Sequence, residues 1–131
     1  HNLAEVQRRL GRLDQALVGY RRALAIYEAR LGPDAELVAG PLTGIGQTLV
    51  LQGHAAEAIP ILERALAITA RPNVAPETVA VGQLSLARAL WDAGRERPRA
   101  LALAKQAAAT FKGLSGFTQE AAEAEAWLAA R

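Results

Sequence analysis

The side chains that could perform chemistry are few and scattered along the chain. The two histidines, His1 and His54, have no second ligand at the spacing that a metal site requires. Ser85 and Ser115 lack the glycine-flanked turn that exposes a nucleophilic serine. We therefore predict a solvated surface position for His54, and no metal ion, cofactor or catalytic residue.

Three closely spaced glycines, Gly40, Gly44 and Gly46, superficially suggest a phosphate-binding loop. They lack the Gly-Lys-Ser/Thr ending of such loops, and they lie within a helical pattern rather than after a strand. Close packing between helices is the better explanation for them.

Three carboxylates near the end of the chain, Glu120, Glu123 and Glu125, could in principle supply an acid/base pair. They also cluster at the start of a predicted helix, where negative charge complements the helix dipole. The second explanation is the one that we favour.

The composition excludes several classes of protein. The 131 residues carry a formal net charge of +2, basic residues are interspersed with acidic ones, and aromatic residues make up 5%. No nucleic-acid surface is predicted from that pattern. The chain has no cysteine, which fits a reducing compartment such as the cytoplasm, and no apolar run of the ~18 residues that a membrane span needs. Nothing at the start resembles a signal peptide, and the first residues read as mid-helix, which predicts a piece of a longer protein.

The strongest feature is an internal repeat. Residues 11–26 recur forty-two residues later as residues 53–68, and both copies end in Ala-Leu-Ala-Ile. Small or apolar residues fall at helical steps of three and four in the first copy, which predicts an amphipathic helix that follows a glycine turn. One such hairpin cannot cover its own apolar stripe, so several must stack.

The same pattern predicts seven helices joined by short turns. Gly94 continues the period, but the turn that follows it carries a one-residue insertion. We expect Asp14 and Thr118 to act as N-caps and Pro60 to lie in the first turn of its helix, while Pro41 either starts its helix or kinks it. The predicted helices span about 1–10, 14–31, 36–52, 56–70, 77–93, 98–112 and 118–130.

With these residues in place, the chain resembles the tetratricopeptide repeat family, in the 42-residue variety also found in kinesin light chains. The middle copy fills the signature positions most completely, with Leu42, Ile45, Gly46, Leu49, Gly53, Ala58, Leu62 and Ala65. The resemblance implies an all-α fold, a right-handed superhelical stack of about three antiparallel hairpins with a C-terminal capping helix. The expected repeats are about 1–34, 35–72 and 73–113, with the cap at about 118–130. Residues 125–131 also look similar to the end of repeat regions attached to bacterial serine/threonine protein kinases.

The resemblance further implies a concave surface lined by the first helix of each pair. In that surface, Arg8, Arg9 and Arg88 are expected to receive an acidic peptide or a free carboxylate, although a solvated face would explain them too. Trp91 either anchors an apolar side chain of the partner or packs under the final helix. The full expected set is Asn2, Glu5, Arg8, Arg9, Thr43, Gln47, Val50, Leu84, Ser85, Arg88, Trp91 and Asp92.

The predicted function is a non-catalytic scaffold that binds a protein or peptide segment in this surface. The alternative is a structural or self-association module that packs, through its exposed terminal repeat, against its own copies or an upstream domain such as a protein kinase. We expect no nucleic-acid, membrane or cofactor partner, and a cytoplasmic location.

Overall fold

The computed structural model describes residues 2–131, and His1 lies outside them. The described part of the chain contains seven α-helices and no strand, which confirms the all-α prediction. A short 3-10 turn, Glu36–Val38, leads directly into the third helix. The helices are α1 (Asn2–Arg9), α2 (Leu13–Leu31), α3 (Ala39–Leu51), α4 (Ala55–Thr69), α5 (Pro76–Asp92), α6 (Arg97–Lys112) and α7 (Thr118–Ala129).

Each helix packs against the next one in the chain, and α3 also contacts α5. Because the turns within pairs are only a few residues long, neighbouring helices run antiparallel. The hairpins α1–α2, α3–α4 and α5–α6 thus form a stack, and α7 packs on α6 as α5 packs on α4.

The three hairpin turns share one backbone structure. Gly11, Gly53 and Gly94 have φ values of +79°, +84° and +68°. The next residue in each turn donates its amide to the carbonyl five residues earlier, at 2.8, 2.8 and 2.9 Å, and the glycine amide bonds to the carbonyl three residues earlier. This is the Schellman motif, in which a left-handed glycine ends a helix. The sequence repeat at glycine therefore corresponds to a repeated hydrogen-bonded turn.

The insertion predicted in the third turn is one residue, Glu96. Gly11 is followed by one residue before α2 begins, whereas Gly94 is followed by Arg95 and Glu96 before α6. Glu96 has a φ of +44° and is the only residue other than glycine with positive φ in the described chain. The extra residue of this turn therefore adopts a left-handed conformation directly before α6 begins.

Both predicted N-caps are wrong. α2 begins at Leu13 and α7 at Thr118 itself, so the cap positions belong to Arg12 and Phe117, neither of which makes a side-chain cap bond. The reason in α2 is that the glycine turn passes into the helix after a single residue. Asp14 instead accepts a hydrogen bond from Gln52 Nε2 at 2.8 Å, which ties α2 to the end of α3.

Pro41 and Pro60 differ in their effect on the hydrogen bonds of their helices. Pro41 is the third residue of α3, where a missing amide leaves no helical bond of α3 unmade. Pro60 was expected in a first turn, but α4 begins at Ala55, which makes Pro60 the sixth residue. Its missing amide leaves the carbonyl of Ala56 without its helical partner, and both residues are exposed to solvent, where water can satisfy that carbonyl.

Salt bridges connect the even-numbered helices. Arg64 of α4 pairs with Glu28 of α2, and Arg99 of α6 pairs with Glu63 of α4, both at 2.7 Å. The hydrogen bond from Arg99 to Glu63 raises the pKa of Arg99, against a smaller opposing effect of desolvation. Both pairs join residues that are thirty-six positions apart in the sequence, so the same salt-bridge arrangement occurs twice along the stack.

Two of the three clustered glycines are explained by close packing. A Cβ at Gly44 would overlap the ring of Tyr20, and one at Gly46 would overlap the Leu62 side chain. Tyr20 and Leu62 are themselves buried in the core. The glycines therefore allow α3 to approach α2 and α4 closely, as the sequence suggested.

We predict that Gly46→Ala destabilises the protein by about 1–3 kcal/mol, because overpacking against Leu62 outweighs the gain in helix propensity of roughly 1 kcal/mol. Urea unfolding measures this change. The matched control is Gly113→Ala, whose Cβ would meet only ordinary contacts at 3.6 Å.

The cause is tested by combining Gly46→Ala with Leu62→Ala. Removing the Leu62 side chain makes room for the new methyl group, so the effect of Gly46→Ala should become neutral or stabilising in that background. Equal effects of Gly46→Ala in both backgrounds would contradict the proposed overlap.

Candidate functional site

The odd-numbered helices line one cavity of about 740 Å³, which we call the groove. α1, α3, α5 and α7 all contribute side chains to it, because each packs on the same side of the even-numbered helices that separate them. Tyr20 of α2 and Phe111 of α6 also reach its wall.

The structure brings eight of the twelve predicted binding residues together. They come from three helices that are distant in sequence but adjacent in the stack. The eight are Glu5, Arg8, Arg9, Thr43, Gln47, Leu84, Ser85 and Arg88.

The other four predicted residues do not line the groove. Asn2 and Asp92 are exposed at helix ends, and Val50 is half-buried against the core. Trp91 packs its indole edge to face against Trp127 of α7, with ring centroids 5.8 Å apart. Of the two roles considered for Trp91, the geometry matches packing under the final helix.

Arginine side chains lie over the rings of Trp91 and Trp127. The guanidinium of Arg97 lies 4.7 Å from the Trp91 ring centroid, and that of Arg131 lies 4.3 Å from the Trp127 centroid. Cation–π contacts of this kind favour a charged group over an aromatic face. They join the start of α6 and the residue that ends the chain after α7 to the tryptophans of α5 and α7.

The three groove arginines differ in their partners. Arg9 pairs with Glu5 on the same helix at 2.9 Å. Arg8 donates from Nε to the Tyr20 hydroxyl at 3.4 Å, a long hydrogen bond. Arg88 is half-buried, and its Nε is buried without a hydrogen-bond partner among the described residues. A buried donor of a charged group left in this state costs free energy.

A polar bridge forms the middle of the groove. Gln47 Nε2 of α3 donates to Ser85 Oγ of α5 at 3.0 Å, and Ser85 in turn donates to the Val81 carbonyl at 2.7 Å. The bridge fixes the Gln47 amide in position beside Arg88. These two hydrogen bonds make this part of the groove polar and hold its side chains in place without a ligand.

The contribution of α7 was missed from the sequence. Gln119, Glu120 and Glu123 line the groove, whereas the sequence suggested only a cap whose acidic residues complement the helix dipole. Glu123 accepts a hydrogen bond from Gln119 at 3.1 Å. The signal that could have revealed them is positional: α7 follows α6 as α5 follows α4, so its residues belong on the same surface as those of α5.

Outside the groove, a second, mostly apolar pocket of about 390 Å³ lies between α2, α3 and α4. No group of three or more metal-ligating side chains within residues 2–131 is placed to hold an ion. His54 is exposed and lies 3.9 Å from Glu57. None of the helices combines the length and apolar character needed to cross a bilayer.

Comparison with known proteins identifies the family. A model of the tetratricopeptide repeat matches residues 1–71, more than half of the chain. The chain belongs to the tetratricopeptide repeat family, whose repeats generally serve as non-catalytic modules of protein–protein interaction.

Two solved structures share the fold. Both contain nearly identical TPR-like repeats of a Podosopora anserina protein assigned to the kinesin light chains, one of them a point variant. The TM-scores are 0.79 and 0.80 at 23% identity, and the alignments cover 98% of this chain. The chain spans 61% and 62% of those two chains. No curated protein matches the chain. The predicted superhelical stack of helical hairpins is confirmed.

We predict that Trp127→Ala loosens α7, because it removes the edge-to-face contact with Trp91 and the face under Arg131. A loss of about 1–3 kcal/mol should raise amide hydrogen exchange in residues 118–129 about fivefold or more. Mass spectrometry measures the exchange, with residues 13–31 as the internal reference. Uniform acceleration across the chain would contradict a local role for the tryptophan pair.

Proposed function

We propose that the chain is an interaction scaffold that binds an extended protein segment in the groove and recognises an acidic group on it. The observation that carries the proposal is Arg88, a half-buried arginine that lines the groove and forms no salt bridge within residues 2–131. A carboxylate of the ligand pairs with its guanidinium through a charge-assisted hydrogen bond, which is stronger than a neutral one.

The neighbouring groups support a peptide as the ligand. Gln47 uses its Nε2 for Ser85, and no bond of its Oε1 is seen among the described residues. That oxygen can accept from a peptide amide, and the exposed Thr78 and half-buried Thr43 offer further hydrogen bonds along the groove. Arg8, held only by a 3.4 Å bond to Tyr20, adds a second positive charge.

The experiment is selection of a random decamer peptide library on the immobilised protein, followed by sequencing of the enriched peptides. We expect Asp and Glu to be enriched. With Arg88→Gln the enrichment should fall about tenfold or more, because a hydrogen bond between charged groups is lost. The matched control is Arg22→Gln, which removes an exposed arginine of α2 away from the groove.

Two results would overturn this proposal. One is a library that shows no enrichment over the bare support. The other is an acid preference that Arg88→Gln leaves intact or that Arg22→Gln lowers equally, which would assign the effect to net charge alone.

A second candidate function, self-association, is favoured by one observation. The apolar stripe of Leu3 and Val6 on α1 continues to Leu10, directly after the helix, and the three residues are 71%, 52% and 63% exposed. An apolar stripe of this kind loses its contact with water when a helix of another copy or an upstream domain covers it.

Sedimentation velocity over a range of concentrations tests this second candidate. We expect a dimer that forms as concentration rises and is abolished by Val6→Glu, since the new carboxylate would be buried unpaired. Leu37→Glu, an equally exposed apolar position outside α1, should leave the dimer intact. A wild-type monomer at every concentration would leave the stripe without a self-pairing role.

The proposed location is the cytoplasm. The chain has no cysteine and could form no disulfide in an oxidising compartment, which agrees with this proposal.

A further inference from the structure

The groove carries charges of both signs that do not neutralise one another. Arg8 and Arg88 come from α1 and α5, and Glu120 and Glu123 come from α7. None of these four residues forms a salt bridge with any part of the chain that the structure describes.

Elsewhere in the stack, opposite charges on neighbouring helices do meet. Arg64 reaches Glu28 and Arg99 reaches Glu63, both at 2.7 Å, and Lys112 of α6 lies 3.4 Å from Glu125 of α7. The side chains in the groove are of the same types and lengths. These four side chains nevertheless form no salt bridge with one another.

We propose that the groove selects a bipolar segment, with acidic side chains against Arg8 and Arg88 and a lysine or arginine against Glu120 and Glu123. This inference rests on the proposed function and extends it, since the acidic group alone was assigned there. Opposite charges on one ligand complete both sets of unpaired groups at once, whereas an all-acidic ligand would bring like charges to α7.

The dimensions of the stack limit the spacing between the two charges of the ligand. Neighbouring helices lie about 8–10 Å apart, so the three steps from α1 to α7 amount to at most about 30 Å. An extended chain advances ~3.4 Å per residue, which allows up to about nine residues between the acidic and the basic side chain. A decamer therefore spans the groove.

The test uses the random decamer library with a second pair of variants. We expect peptides enriched on the wild type to carry both an acidic and a basic residue more often than chance. Glu120→Gln combined with Glu123→Gln should lower the basic enrichment about five- to tenfold and keep the acidic one, since partly exposed charge pairs contribute up to about 1 kcal/mol each.

The matched control is Glu36→Gln combined with Glu57→Gln, which removes two exposed carboxylates outside the groove. Net charge changes equally in the two double variants, so only a position-dependent effect distinguishes them. Hydrogen exchange in residues 118–129 of both variants checks that α7 remains folded.

The possible outcomes test the bipolar ligand and the proposed function separately. Acidic enrichment without basic enrichment on the wild type, or basic enrichment that survives in the Glu120/Glu123 variant, overturns the bipolar ligand and leaves the proposed function standing. Basic enrichment that falls equally in the control also overturns it. Absence of any enriched peptide overturns both proposals together.

Discussion

Close approach between helices is the constraint on which the rest of the structure depends. Ala16, Ala58 and Ala100 stand forty-two residues apart on α2, α4 and α6, and each has no exposed surface. Gly44 and Gly46 of α3 face Tyr20 and Leu62, where a single added carbon would overlap. Because these positions carry almost no side chain, flanking leucines interdigitate at the density of a protein interior. The repeat is thus a repeat of small residues as much as of large ones.

The turns and the close contacts together determine where function can reside. A Schellman turn at each glycine ends the odd-numbered helix at a fixed point and starts the next one within one or two residues. The odd-numbered helices consequently present equivalent faces to one side. Side chains distant in sequence, such as Gln47 and Ser85, then come within 3.0 Å of one another. The groove is a product of this regular geometry and needs no specialised loop.

Much of the fold was predictable from the sequence, and the site only in part. Periodicity and glycine spacing predicted all seven helices, because both depend on local geometry that repeats. The N-caps failed because Asp14 and Thr118 were judged by residue type, while the tight turns placed the helix starts one residue before or directly on them. The binding residues of α1, α3 and α5 could be assigned by position in the repeat. Trp91 could not, since its contact with Trp127 depends on the placement of a helix with no partner in the pattern.

α7 combines packing in the core with a surface in the groove. Ala121 and Ala124 are buried against α6 and help to close the core, while Glu120 and Glu123, each the residue before one of these alanines, line the groove. Substitutions that change how α7 packs on α6 therefore also move the carboxylates of Glu120 and Glu123. Evolution of thermal stability and evolution of partner choice are therefore coupled at this helix, whereas on α4, which contributes no side chain to the groove, they could proceed independently.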